Sequence, residues 1–449
     1  AGRQRPPAGG DRLATPGQPG GGTETNRRLV AGAHGAGTGA SRQRIHDVNA
    51  MSGKPLKGPE TANAGATRRI PLSEPDLRGR EAEYLHRCIA DNWVSSAGPF
   101  VVEFERRVAE IAGRRYGVAA VNGTAALHLA LIAAGVQPGD GVAIPDWTFI
   151  ATANAVRHAG AVPLLVDVAR ASWTLDAGLL ARALEDKTRK VRAVIAVHTL
   201  GHPADVDALR AVSDAAGAVL IEDAAGAIGA RYKGRPVGGL GDLAVFSFNG
   251  NKVVTAGGGG MVVTDVGGYA EQVRHLSTQA RLGADYSHDA VGYNYRMTNL
   301  NAAVGLAQIE RLDAMLAAKR GIAQVYDTVL AGRPDLLPMP RAPWATSNHW
   351  LYSVLCGSVE DAESLVRHMQ GRHIEARIFW RAISQQPPYA SCPRLLSGVA
   401  ASLAGRVVSL PSGSGLSDRD REQVVQALQH WRGTAAVGQE WRAAAAATG

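Results

Sequence analysis

Between Gly117 and Thr264 the chain alternates short apolar runs with helical patterns, and this alternation narrows the possible folds more than any other feature. The runs fall at 117–121, 142–145, 162–166, 193–197, 218–222, 243–248 and 260–264. They are nearly continuous in apolar residues, as expected of strands covered on both faces. Helical patterns at 125–134, 150–159, 177–184 and 205–216 fill most of the intervals. Strand, helix and strand in succession make βαβ units, so the reading is an α/β fold with a mostly parallel central sheet and helices on both faces. Three- and four-residue spacing of Leu300, Val304, Ala307, Ile309, Leu312 and Leu316 then predicts one long helix.

The texture changes after Arg333-Pro334. Strand patterns at 350–355 and 406–411 and helical patterns at 359–371 and 417–431 read as a smaller α+β domain. Of the 449 residues, 69–320 are thus assigned to a large domain and 321–433 to a small C-terminal one. The Ala-rich end, 434–449, lacks turn or capping residues and is expected to fray. The opening stretch, 1–68, holds 14 Gly, 6 Pro and no Phe, Trp or Tyr. It has too little apolar surface to offset the entropy of ordering, and is read as a disordered Gly/Pro/Arg-rich tail. Met51 is an alternative start, which would make the first 50 residues an over-extended reading frame.

The net charge of +8 belongs mainly to that tail, where ten Lys/Arg meet four Asp/Glu; the remaining 381 residues hold 38 and 36. A near-neutral body argues against nucleic-acid binding as the main activity. No apolar run approaches the roughly 18 residues of a membrane span. Three widely spaced cysteines, Cys88, Cys356 and Cys392, offer neither a disulfide framework nor zinc spacing, and read as reduced thiols in a cytoplasm. No metal site is expected.

Three motifs carry chemistry. In Val121-Asn122-Gly123-Thr124-Ala125 a strand ends and a helix begins, so Gly123 and Thr124 offer backbone N–H groups and a hydroxyl to a phosphate. In Ile221-Glu222-Asp223-Ala224-Ala225 an acid stands at the carboxyl end of a central parallel strand, where open α/β sheets bind ligands. In Ser247-Phe248-Asn249-Gly250-Asn251-Lys252 a lysine lies between an apolar strand and the glycine run 257–260. A lysine in a partly desolvated pocket loses its proton readily and attacks aldehydes. Phosphate turn, strand-end acid, serine and lysine, in that order, describe a site for pyridoxal 5'-phosphate.

The stretch from Ile70 to about Gly433 resembles the DegT/DnrJ/StrS sugar aminotransferases. The matching phrases include Asn92 to Gly98, Thr148 to Asn154, Gly201-His202-Pro203-Ala204-Asp205, Phe246 to Lys252 and Gly292 to Met297. The resemblance implies the pyridoxal-phosphate-dependent fold type I architecture. It implies that Lys252 forms the imine with the cofactor and moves the proton, that Asp223 pairs with the pyridine nitrogen, and that Phe149 stacks on the ring. It gives the phosphate to Gly123, Thr124 and Ser247, with Asn294 reaching across from a second subunit, so that a homodimer shares its sites. His202 and Arg296 are weaker substrate candidates.

Within the family, Phe248 to Lys252, Phe379-Trp380-Arg381 and Leu410-Pro411-Ser412 are most similar to enzymes that aminate C4 of a nucleotide-linked 4-keto-6-deoxy sugar. The nearest group is the legionaminic-acid type, with perosamine synthases next. The implied activity is transamination from an amino-acid donor, glutamate, for polysaccharide or glycoconjugate synthesis. A 3-keto sugar or a cyclitol is the alternative substrate, and a non-catalytic regulatory protein the alternative class. Lys252 argues against the family's dehydratases, which carry histidine there. One position departs: Gly226 stands where the family usually has Gln, Glu or His to touch the cofactor's ring hydroxyl.

Overall fold

The computed structural model describes residues 68–447. The expected tail therefore lies, apart from Arg68, outside the described residues. Eight strands form the main sheet, in the order Tyr116–Ala120 (β1), Gly260–Thr264 (β9), Leu243–Ser247 (β8), Val219–Asp223 (β5), Val191–Val197 (β4), Gly141–Pro145 (β2), Val162–Val166 (β3) and Arg394–Leu395 (β16). Pairing is parallel from β8 to β16, and antiparallel where β9 lies between β1 and β8. A second sheet, antiparallel throughout, runs Leu336–Pro338 (β12), Tyr352–Cys356 (β14), Val407–Leu410 (β17), Arg377–Phe379 (β15). Two small ribbons complete the strands: Ala345–Thr346 (β13) beside Arg231–Tyr232 (β6) and Arg235–Pro236 (β7), and Arg281–Leu282 (β10) beside Ser287–His288 (β11).

Continuous apolar strands make a sheet that must be covered twice. On β4, Ala193, Ile195 and Val197 join a core with helices Gly123–Ala133 (α3) and Ala151–His158 (α4). Val194 and Ala196 point the other way, into a core with Ala177–Ala183 (α5) and Val206–Ala216 (α6). Helix α3 is apolar nearly all round and packs against the sheet, α4 and Gly267–Ser277 (α7). A further layer pairs Glu81–Ala90 (α1) and Pro99–Ala112 (α2) with Asn299–Ile309 (α8).

The single long helix expected from Leu300 is instead two, α8 and Leu312–Leu330 (α9). The break falls at Glu310–Arg311, beside tertiary bonds to Asp76: Arg311 Nη2 lies 3.1 Å from its Oδ2, and Gln308 Nε2 donates to its carbonyl at 2.8 Å. The Ala-rich end also departs from expectation. Gln439–Ala446 forms a helix, Trp441 is buried, and Val437 N–H donates to Pro334 O at 2.8 Å. A buried indole and a long-range backbone bond hold a segment whose own residues carry no stop or start signal. Part of the stretch assigned to the small domain lies on the main sheet: β16 pairs with β3, and Ser384 Oγ donates to Asp146 at 2.8 Å. We propose the remaining two-domain division, with Val359–Gln370 (α10) and Asp418–His430 (α12) covering the second sheet around a separate core. Among the described residues no helix is long and apolar enough to cross a membrane, and no His/Cys/Asp/Glu group could hold a metal ion.

Candidate active site

The carboxyl ends of the parallel strands place the site. After β1, Asn122 caps α3 by accepting the Ala125 N–H at 2.8 Å. The first N–H groups of α3, from Gly123 and Thr124, have no partner within the helix. Gly123 also allows a close approach: a Cβ there would lie 2.8 Å from Ser247 Cβ, so a larger residue would push α3 away from β8. Asp223 ends β5 and is buried, accepting Thr152 Oγ1 at 2.7 Å and Ala225 N–H at 3.1 Å. Both bonds fix the carboxylate while it faces the cavity.

Lys252 follows β8 in a turn closed by its N–H to Asn249 O at 3.0 Å. Burial lowers its amine from the usual 10.5 to about 7, against the opposing pull of the Asp223 charge. The amine lies 3.4 Å from the centroid of the Trp350 ring. A cavity of about 240 Å³ joins these groups. Gly123, Thr124, Phe149, Asp223, Ser247 and Lys252 all line it. Phe149 is 55% exposed at its mouth, with its ring centroid 6.3 Å from that of Trp380.

Three sequence candidates lie elsewhere. His202 is buried, accepts the Ala342 N–H on Nε2 at 3.0 Å, and is lowered to about 4 by burial. It faces a separate small cavity with Arg341 and His349; its neighbours His198 and Thr199 line the Lys252 cavity instead, and Leu200 lines both. Arg296 is paired with Glu105 at 3.1 Å, and Arg274 takes the other carboxylate oxygen at 2.9 Å. That arginine ties the chain beside β1 rather than lining the cavity. Asn294 is exposed and outside the cavity lining of its own chain.

The sequence reading missed Thr152, His198 and Trp350. Thr152 stood inside a quoted phrase, four residues after Thr148 on the face of α4 that meets Asp223. His198 lies at the end of β4, where its Nε2 meets Glu222 at 3.0 Å. Burial would raise Glu222, but His198 and the N–H groups of Gly241 and Gly238 outweigh it and lower the carboxyl. Trp350 reaches the site from the second sheet and had no local signal.

A desolvated lysine opposite a fixed carboxylate, beside a helix start, on an α/β sheet defines a carbonyl–amine enzyme. Residues 75–429 match the DegT/DnrJ/EryC1/StrS aminotransferase family. The chain is similar to the GDP-perosamine synthase of Caulobacter vibrioides, 38% identical over 368 residues, covering 80% of this chain and 97% of the other. Among solved structures it resembles DesV of S. venezuelae (33% identity, TM-score 0.76, 81% of this chain and 99% of that one). It also resembles DesI, solved in the presence of its TDP-sugar product (32%, TM-score 0.74, 82% and 94%). The chain belongs to the DegT/DnrJ/EryC1/StrS family and is a pyridoxal-phosphate-dependent aminotransferase.

Proposed function

We propose that the enzyme aminates C4 of a nucleotide-linked 4-keto-6-deoxy sugar, taking the amine from glutamate, in the cytoplasm. The observation that carries the reading is the Lys252 amine and the Asp223 carboxylate facing one cavity of about 240 Å³ with aromatic walls. The names of its relatives support the sugar: one is a GDP-perosamine synthase, and another was solved with a TDP-sugar product. The glutamate donor and the 4-keto position rest on the family resemblance. The three buried free cysteines suit a reducing compartment.

The residues present fit the cofactor. Gly123, Thr124 and Ser247 meet where α3 starts, a place suited to a phosphate. Asp223 supplies a fixed negative charge for a protonated ring nitrogen, and Phe149 supplies a ring face. Pyridoxal phosphate contributes an electron sink for the carbon that loses its proton. Lys252, lowered to about 7 and so partly unprotonated at pH 7, would take that proton at Nζ and return it to the neighbouring carbon. Burial lowers the amine so that about half of it is unprotonated and ready as a base at pH 7, and the cavity walls keep water from competing for the carbonyl carbon. Two half-reactions use the same amine, once with the donor and once with the sugar.

The test is the absorption spectrum of the pyridoxamine-loaded enzyme as keto sugars are added. A 4-keto-6-deoxy nucleotide sugar is expected to convert it to the aldehyde-derived form, with the amino sugar seen by mass spectrometry. Conversion only by a 3-keto sugar or a cyclitol would overturn the substrate. Borohydride reduction is expected to fix the cofactor to Lys252. Fixation at Lys233, which the structure pairs with Asp207 at 2.9 Å on the surface, would overturn the site.

A further inference from the structure

Trp350 is held tightly for a residue that precedes a strand. Its Nε1–H donates to Asn251 O at 2.8 Å, one residue before Lys252. Its backbone N–H donates to Asn348 Oδ1 at 2.9 Å, and its carbonyl accepts from Lys319 Nζ at 3.1 Å. Asn348 in turn donates to Gly226 O and Ile228 O, both at 2.9 Å. The same asparagine therefore ties the Trp350 peptide to the loop that follows Asp223.

Gly226 gives the indole its space. A Cβ at that position would lie 2.3 Å from Trp350 Cε3 and 2.9 Å from Cδ2. These ring atoms belong to a side chain anchored at both its edge and its peptide, so it cannot give way cheaply. The missing side chain at 226 and the placement of the ring are one feature. The ring face that results lies 3.4 Å from Lys252 Nζ.

We propose that Trp350 is the positioning residue for Lys252: its indole occupies the space that Gly226 leaves, presents an aromatic face to the amine and closes one side of the cavity to water. The proposal rests on Lys252 being the cofactor lysine. Two effects of the indole on the amine oppose each other. An aromatic face attracts an ammonium. An apolar wall removes the water that would solvate it. Asp223 is the charged group acting on the amine, and it favours the protonated form. Burial is the largest influence on Lys252 and lowers the amine against the Asp223 charge, and the indole is part of the wall that buries it. Opening the wall should therefore raise the amine toward its usual value, even though an attractive ring face is lost.

The experiment follows Lys252 in the full-length chain freed of cofactor, by pH-dependent acetylation with acetic anhydride and peptide mass spectrometry. The midpoint for Lys252 is expected near 7 in the natural sequence. Trp350→Phe, which keeps a ring, is expected to stay within about half a unit, while Trp350→Ala rises by about one unit or more. Trp350→Leu is expected to rise as well, and it keeps the core better filled should the Ala variant not fold. In parallel, Gly226→Ala is expected to lower the melting temperature, and by less than half as much in the Trp350→Leu background. A Lys252 midpoint that does not move in the Ala and Leu variants would overturn the proposal. So would a Gly226→Ala penalty that is the same with and without the indole. Borohydride fixation at another lysine would overturn the cofactor assignment on its own, and the acetylation midpoint would still stand or fall separately.

Discussion

Two buried amines, Lys252 and Lys319, are both lowered by burial to about 7, yet they do different work. Lys252 faces the cavity. Among the described residues Lys319 has no carboxylate partner; it donates to the carbonyls of Trp350 at 3.1 Å and Ser412 at 2.6 Å, joining α9 to the loop that carries the indole. A lysine whose folded value lies below the unfolded 10.5 binds its proton more weakly when folded. Between about pH 7 and 10.5 the unfolded chain then holds the extra proton, so stability contributed through this group rises with pH across that window. Lys319→Met removes both the titration and the two donated bonds. The variant is expected to be less stable than the natural sequence at pH 7, and the gap is expected to widen by about 1–2 kcal/mol at pH 9. Urea melts of both proteins at the two pH values check this. A gap that narrows or stays constant would mean that Lys319 keeps its proton up to pH 9 in the folded chain.

At the scale of elements, one carboxylate holds the join between β3, β16 and Val399–Leu403 (α11). Asp167 is fully buried and accepts the N–H groups of Ser397, Gly398, Val399 and Ala400 at 2.7–3.0 Å, and that of Val168 at 2.8 Å. Asp167→Ala would leave these donors without an acceptor and is expected to cost about 3–5 kcal/mol. Fast hydrogen exchange at 394–403, with the rest of the main sheet still protected, is the expected signature. Equal loss of protection everywhere would show that this join is not a local one. Such joins are the part of the fold that local sequence does not report. Strands β3 and β9 were legible to the residue because apolar runs buried on both faces look alike wherever they occur. The two-residue β16 has no periodicity to read. The break between α8 and α9 was hidden because apolar spacing continues through Arg311, and only contact with Asp76 shows why the helix stops. The site divides in the same way. Asp223 and Ser247 end strands, Gly123 opens the helix that follows β1, and Lys252 lies in the short connection that follows β8, so reading the strands located them. Trp350 arrives from the second sheet, and His202 was misplaced because a motif gives no direction to a side chain.

For the whole molecule, the question is whether a second chain completes the cavity. Phe149, which lines the cavity, is 55% exposed. Asn294 is also exposed, and it lies just before α8 in the phrase that the family resemblance links to the phosphate of a second subunit. We propose a homodimer in which each cavity takes Lys252 and Asp223 from one chain and Asn294 from the other. An isologous interface repeats every such exchange twice, so each dimer would have two composite sites. Lys252→Ala disables the site of its own chain, whereas Asn294→Ala weakens the site of the partner. In a hybrid of the two variants one site loses both residues and the other keeps both. Random pairing makes about half of the dimers hybrids, so about a quarter of all sites should be intact after subunit exchange. Each variant is expected to be inactive or impaired alone, and the mixture to regain activity toward that fraction as exchange proceeds, with native mass spectrometry confirming the hybrids. Hybrids that form without any recovery would place Asn294 outside the shared site. A fully active monomer would remove the second subunit from the chemistry, and Asn294 would then act only in the bridge it forms with Thr278.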